Sequence, residues 1–394
     1  MLKSFFKIFI KIILYLPKKI IRKENIIVIS GHDYYSYSGN SRFLYEYLSR
    51  NTDFEIYWFT DNEHLKTYLK SLNFRYISTK NIIKTIWVLL KTKVVINSGD
   101  SYINMFSILD NKNVYKISLT HGFGPKTDNL KLDNNSIDAI HKFDFINFPS
   151  EYTCENNGIK LYKLPKDKII SLGYPKNDVL QDEQQSAYLY KKKPIINMLF
   201  PDIDHTEATI ILYTPTWRPY QSELPLTEID GYTKEKFLTL LNNKNILFIY
   251  SLHPTNPPKN TFNDNRVSYI NNNQIFGDIN QLMHETDILM NDYSTTSVDY
   301  SITKKPQMFC LPDHENYIKH INIEKNYHES IPGDSFNDFD GLKNIIDEIL
   351  DSNEKYVDKY KKNNREYLNK YYDIYIRNSS ERFKFFIEQL MTNK

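Results

Sequence analysis

The chain of 394 residues carries 41% hydrophobic and 25% charged side chains with 11 glycines and 16 prolines, which excludes disordered or fibrous material and gives a prior of two or three domains. Its two cysteines, Cys154 and Cys310, are too few for a disulfide framework and lack metal-ligand spacing, so a reducing, cytoplasmic setting is expected. The net charge of +2 hides an asymmetry: residues 1–23 hold seven bases and no acid, and the remainder 43 bases against 48 acids, which disfavours nucleic acid as a partner and points to a surface met by the N-terminus.

Phe5 to Leu16 (FFKIFIKIILYL) is apolar apart from Lys7 and Lys11 and stops at Pro17, short of the roughly 20 residues a bilayer-spanning helix needs. Lys3, Lys7 and Lys11 recur every four residues and form one helical stripe, with Phe and Ile over most of the rest, the pattern of an interfacial helix. Lys18, Lys19, Arg22 and Lys23 follow, where each base near an anionic leaflet adds about 1 kcal/mol. Residues 1–23 are therefore read as an amphipathic membrane-attachment segment. The internal lysines, the Pro17-Lys18-Lys19 run and the lack of an A-x-A-like site argue against a cleaved signal; a helix packed on the domain is the other reading.

From residue 24 short apolar runs alternate with helical patterns. Strands are expected at 26–31, 54–59, 94–97, 115–120 and 145–148, with helices over 40–48 and 65–72, all within a Rossmann-like domain of residues 24–190. After a lysine-rich polar stretch, strands at 209–214, 246–251, 288–292 and 307–310 form a second such domain over 205–340, and residues 341–394 supply one or two closing helices. Strands alternating with helices imply α/β architecture with two parallel, doubly wound sheets facing a cleft, and ligands lying outside the carboxyl ends of the strands.

Four strand ends carry polar groups. Thr120-His121-Gly122-Phe123-Gly124-Pro125-Lys126 sets a group titrating near neutrality beside backbone N–H donors, suited to taking a proton from an alcohol, or is a structural turn with an incidental His. Thr214-Pro215-Thr216-Trp217-Arg218 offers two hydroxyls, an indole and a guanidinium for a phosphate and a flat ring. In His253-Pro254 the proline keeps His253 out of helical geometry. Asp292-Tyr293-Ser294-Thr295-Thr296-Ser297-Val298-Asp299 is a hydroxyl-dense turn opening a helix, an anion cradle that needs no lysine. P-loop, Gly-x-Gly-x-x-Gly, Gly-x-Ser-x-Gly and His-Glu-x-x-His motifs are all missing from the sequence, which removes the main support for those chemistries. Asp202 and Asp204 have a carboxylate-pair spacing but sit in a polar linker after Pro201, and no metal site is expected.

The ordered set Gly39-Asn40-Ser41-Arg42-Phe43-Leu44-Tyr45, His121-Gly122, Gly173-Tyr174-Pro175-Lys176-Asn177-Asp178, Pro215-Thr216-Trp217-Arg218, His253-Pro254 and Asp292-Tyr293-Ser294 resembles the CDP-glycerol glycerophosphotransferase family of teichoic-acid primases, polymerases and capsule-building relatives. Lys304-Lys305-Pro306 and Pro312-Asp313 resemble its segment after the nucleotide loop. The resemblance implies a GT-B-like fold, peripheral attachment to the cytoplasmic membrane face, and transfer of glycerol phosphate from CDP-glycerol to a hydroxyl of a membrane-linked glycan or polymer, releasing CMP, with no obligatory cofactor. By position it makes His121 the base and His253 the group on the transferred phosphate. It assigns Thr214, Pro215, Thr216, Trp217, Arg218, Asp292, Ser294, Thr295, Thr296 and Asp299 to the donor, and Gly122, Lys126, Asn40 and Arg42 to the acceptor. Where the family follows His-Gly with Thr and a lysine-rich run, this chain has Phe123-Gly124-Pro125-Lys126. The rival readings are a capsule sialyl- or polysialyltransferase using a CMP-sugar and a catalytically inactive membrane-bound organiser of polymer synthesis.

Overall fold

Ile26-Ile27-Val28-Ile29 and Val94-Val95-Ile96 are apolar on both faces and buried, the composition of strands covered by helices on two sides. The computed structural model describes residues 20–31, 36–99, 113–126, 134–182, 184, 191–220, 224–252, 261–271, 278–373 and 377–392. The amphipathic segment of residues 1–23 lies outside these except for its last four residues.

The chain divides into two compact units. The first takes the described residues up to 121, of 134–176 and of 377–392; the second takes 122–126 and the described part of 177–373. The first unit holds strands β1 (Ile26–Ser30), β2 (Glu55–Phe59), β3 (Tyr76–Ile77), β4 (Val94–Asn97), β5 (Tyr115–Ser118), β6 (Phe145–Asn147) and β7 (Ile169–Ile170). They pair in parallel in the order β3-β2-β1-β4-β5-β6-β7. Helices α1 (Gly39–Asn51), α2 (Glu63–Ser71), α3 (Ile82–Lys91) and α4 (Asn134–Ile140) alternate with them. The Asn62 side chain accepts from His64 and Leu65 N–H to start α2, which satisfies two of the donors a helix start leaves unpaired.

The second unit opens with α5 (Pro194–Leu199), then β8 (Thr209–Tyr213), α6 (Lys234–Asn243), β9 (Ile246–Leu252), β10 (Val267–Asn271), α7 (Ile279–Glu285), β11 (Ile288–Asn291), α8 (Thr296–Tyr300), β12 (Gln307–Cys310), α9 (His314–His320), β13 (Gly333–Phe336), and α10 (Phe339–Asp351), α11 (Asn353–Lys359) and α12 (Lys361–Tyr371). Its sheet is again all parallel, ordered β10-β9-β8-β11-β12-β13. Ile211, Phe248, Met290, Met308, Phe237 and Ile346 belong to one buried core between this sheet and α6 and α10. The final helix, α13 (Ser379–Thr392), counts with the first unit; Lys93 Nζ donates to Met391 O at 2.6 Å and Arg382 Nε to Leu172 O at 3.0 Å.

The expected boundaries differ from these units in three ways. The division falls between Lys176 and Asn177 rather than in the polar stretch near residue 190. Gly122–Lys126 leaves the first unit for the second, because Lys126 forms an antiparallel bridge with Ile323 and Glu324 N donates to Pro125 O at 3.1 Å. The closing region has four helices, α10 to α13, and only the last belongs with the first unit. The strands β3, β7, β10 and β13 escape the hydrophobic pattern: two have only two residues, β10 reads Val-Ser-Tyr-Ile-Asn, and β13 reads Gly-Asp-Ser-Phe. Among the described residues, no helix is long and apolar enough to cross a membrane.

Both strand orders reverse direction between the first and fourth strands of their sheet, at β1/β4 and β8/β11, the topological position at which such sheets hold ligands. In the second unit the approach segment is tied down by a buried acid. Glu285 at the end of α7 is fully buried, and its Oε2 accepts the N–H groups of Ile195 and Ile196 at 2.8 and 2.9 Å. Burial pushes its carboxyl up to about 7. The folded chain therefore binds a proton that the unfolded chain has released, and stability falls as pH rises from about 4.5 to about 7. Replacing Glu285 with Gln is expected to flatten this fall, worth up to about 3 kcal/mol, in urea unfolding series at pH 4.5 to 7.5.

Candidate functional site

In the first unit the carboxyl end of β5 is bent into a strained turn. Thr120 has φ of 54°, a left-handed backbone that β-branched residues rarely adopt. The strain is held by hydrogen bonds. Tyr174 OH lies 2.8 Å from the Thr120 hydroxyl, which lies 2.9 Å from Asn147 O. Asn40 Nδ2 donates to Thr120 O at 3.1 Å while its Oδ1 accepts Lys176 N–H at 3.3 Å. Lys176 Nζ in turn donates to His121 O at 3.4 Å, and Asn147 binds Leu172 N and Gly173 O. The Gly39–Tyr45 and Gly173–Asp178 motifs thus both supply supports for the turn that ends in the exposed His121. Asn40 is buried under that turn, and Arg42 is buried with its Nε on Glu46 Oε1 at 2.9 Å and its guanidinium 5.1 Å from the Tyr37 ring. Both were expected at the acceptor, and both are packed at the start of α1.

In the second unit the loops after β8 and β11 are joined by a buried ion cluster. Asp292, fully buried, accepts from Thr216 N–H at 2.9 Å, Thr216 Oγ1 at 2.6 Å and Arg218 Nη1 at 2.6 Å. Arg218 also grips Asp313 with Nε and Nη2 at 2.8 and 3.0 Å, a bidentate fork. Its guanidinium lies 4.7 Å from the Tyr317 ring and 5.4 Å from the Tyr293 ring, and those two rings stack at 4.0 Å. Burial works against the Arg218 charge, but Asp292 and Asp313 more than offset it and hold the group protonated. Burial likewise opposes the Asp313 charge, and Arg218 wins, keeping that carboxyl below its usual range.

These contacts sort the expected donor residues. Thr214 is buried with its hydroxyl on Asn291 Oδ1 at 2.7 Å, and Asp299 is buried with Tyr372 OH donating to it. Arg218, Asp292, Thr214, Thr216 and Asp299, all expected at the donor, are joined within and between these loops by the contacts above. Ser294, Thr295 and Thr296 are half-buried at the start of α8, Trp217 is exposed and Pro215 half-buried. Ser294 Oγ and Thr296 Oγ1 lie 3.0 Å apart.

The Gly122–Lys126 loop closes against this hydroxyl run. A Cβ on Gly124 would come within 2.9 Å of Thr295 Cγ2, and one on Gly122, at φ +151°, within 3.2 Å of Thr295 Oγ1, so the approach requires glycine. Lys126 follows. Burial lowers its ammonium below the ordinary range, and attraction to Asp292 partly restores it. Lys126, expected at the acceptor, thus stands in the electrostatic neighbourhood of the Asp292 loop. Sequence reasoning missed Asp313 and the stacked Tyr293 and Tyr317 as parts of the site; Pro312-Asp313 directly after β12 was the available signal. His253 lies outside the described residues. Among the described residues no group of three or more His, Cys, Asp or Glu is placed to hold a metal ion.

Over 214 residues the chain is 24% identical to a teichoic acid poly(glycerol phosphate) polymerase of Bacillus spizizenii, covering 50% of this chain and 51% of that protein. Over 215 residues it is 25% identical to the teichoic acid ribitol-phosphate polymerase TarL of Staphylococcus aureus, covering 53% and 37%. The chain spans about half or less of the length of these two relatives. Among solved structures, a variant of the wall teichoic acid polymerase TagF superposes with a TM-score of 0.73 at 18% identity, over 94% of this chain and 90% of that one. A UDP-GlcNAc 2-epimerase from Neisseria meningitidis reaches 0.59 at 16% identity, over 95% and 100%. At such identities the likeness is one of fold, an α/β fold with two parallel sheets. The sequence itself matches the description CDP-glycerol:poly(glycerophosphate) glycerophosphotransferase over residues 9–388, nearly its whole length, and the chain belongs to that family.

Proposed function

We propose that this protein transfers a polyol phosphate, glycerol phosphate in the first instance, from a CDP-alcohol to a hydroxyl of a membrane-linked glycan or a teichoic-acid-like or capsule polymer, and releases CMP. The observation that carries this reading is the seating of Gly122 and Gly124 on Thr295. It brings the backbone that follows the candidate base into the hydroxyl run of the β11–α8 turn. The buried Arg218 cluster fixes the two loops, and Ser294, Thr295, Thr296 and Lys126 are left to meet the diphosphate, with Trp217 and Pro215 beside them.

The acceptor oxygen attacks the phosphorus that bears the polyol. The new P–O bond forms as the bond to the bridging oxygen of CMP breaks, and the acceptor proton passes to His121. CMP leaves with the bonding electron pair. Such a transfer needs positioning and charge stabilisation more than covalent chemistry, and general-base help of this kind contributes roughly two to four powers of ten. The strained Thr120 turn serves that positioning, and His253 is assigned the transferred phosphate from its place in the family motif.

The same reading places the protein on the cytoplasmic face of an anionic membrane through residues 1–23. Two features of the first unit support it. The chain leaves that segment at the carboxyl end of α3, where Lys23 Nζ donates to Leu90 O at 2.8 Å and Glu24 N to Lys91 O at 2.9 Å. On α3, Ile83 is 82% and Trp87 53% exposed, with Lys80 and Lys84 exposed beside them; aromatic and basic residues together are typical of a membrane–water interface.

CMP release is expected from CDP-glycerol or CDP-ribitol only when a glycan or polymer acceptor is present; release from a CMP-sugar alone would overturn the chemistry. His121→Ala is expected to lower kcat/KM at least about a hundredfold with an unchanged circular-dichroism melt. Arg218→Leu, which strands two buried carboxylates, should cost about 3–5 kcal/mol in urea unfolding, and adding Asp292→Asn and Asp313→Asn should recover part of it. Deleting residues 1–23 should abolish co-sedimentation with anionic liposomes.

A further inference from the structure

A cavity of about 570 Å³ opens at the carboxyl ends of β12 and β13, within the roughly 300–1,000 Å³ of small-molecule sites. Asp313, His314, Asn316, His328, Ser335 and Asn337 are among its lining residues. It shares a wall with the donor loops. Asp313 is the carboxylate that Arg218 grips, and His314 Nδ1 lies 2.8 Å from the hydroxyl of Tyr293, the residue after Asp292.

The lining selects a class of ligand. No Lys or Arg is among the lining residues, and Glu315 is; a phosphate would meet a negative charge with no cation to balance it. The Asp313 oxygens are already engaged by Arg218 and Tyr220. What remains are two imidazoles, two carboxamides and a hydroxyl, with the Glu315 carboxylate as a further acceptor. The His314 and His328 rings meet edge to face with centroids 4.3 Å apart. Asn316, His328, Ser335 and Asn337 are exposed residues of this lining. Leu311, Pro312 and Phe336 add an apolar surface for C–H groups. Hydrogen-bonding donors and acceptors around an apolar floor suit a chain or ring of hydroxyls.

We propose that this pocket binds the hydroxyl-bearing polyol or sugar portion of a substrate, next to the loops assigned to the diphosphate. The inference rests on the transferase reading above. The ligand is a polyol from either the donor or the acceptor end, and kinetics distinguish the two. His328→Ala and Asn337→Ala are measured with CDP-glycerol, CDP-ribitol and a polymer acceptor. One substrate's KM is expected to rise about tenfold, the loss of one or two hydrogen bonds, with kcat, the inhibition constant of CMP and the thermal midpoint unchanged. His328→Gln should restore part of the loss. A rise confined to the donor KM assigns the pocket to the transferred polyol, and one confined to the acceptor KM to the growing end. Both KM values staying within twofold would overturn the proposal. If the wild-type protein turns over no CDP-alcohol, the transferase reading fails separately. The pocket is then tested by saturation-transfer NMR with glycerol, ribitol and a hexose: signals weakened by His328→Ala sustain it, and signals indifferent to the change overturn it.

Discussion

The buried Arg218 with its two carboxylates is the interaction on which the second unit's ligand face depends. One guanidinium fixes Asp292 at the end of β11, Thr216 after β8 through its carbonyl, and Asp313 after β12. Three loops from three adjacent strands are thus set by a single side chain. Two carboxylates against one guanidinium leave the cluster short of positive charge, and Lys126 on the Gly122 loop is attracted to Asp292 while burial works against its own charge. A buried ion pair is weak evidence for net stability. Its contribution here is one of geometry: the surface hydroxyls of Ser294 to Thr296 can be aimed only if the loop beneath them is fixed.

The first unit solves the same problem with a hydrogen-bond network. The turn before His121 is bent at Thr120 and secured by Asn40, Asn147, Tyr174 and Lys176, through amide, hydroxyl, backbone and ammonium groups. The members come from three stretches of sequence, at residue 40, at residue 147 and at residues 174 to 176, so the strain at one residue is over-determined by the fold around it. That explains why two motifs far from His121 in sequence accompany it.

The parallel strands were legible where both faces are apolar, as in Ile26–Ser30, Thr209–Tyr213 and Ile246–Leu252, because burial on two sides writes a continuous hydrophobic run. Gly333–Phe336 was not, since its strand character comes from pairing with β12, and a Cβ on Gly333 would come within 2.0 Å of the Gln307 carbonyl oxygen. At the site, strand-end positions were legible but directions were not. Asp292 and Asp299 look like ligands in a hydroxyl-rich turn, yet their partners, Arg218 and Tyr372, lie 74 and 73 residues away. Nothing local distinguishes a carboxylate aimed inward from one aimed at solvent. The transfer of Gly122–Lys126 to the second unit depends on its pairing with Ile323 and Glu324, equally remote in sequence.

The exposed face of α3 also bears on how the protein behaves in solution. Ile83 and Trp87 stand open on a helix whose other side is packed into the sheet, and an apolar face of this kind is covered either by lipid or by another molecule. With a net charge of only +2 over 394 residues, long-range repulsion does little to keep two copies apart. Raising the concentration therefore favours self-association through this face, and the size of the particle in solution reports on that exposed surface as much as on any built-in assembly.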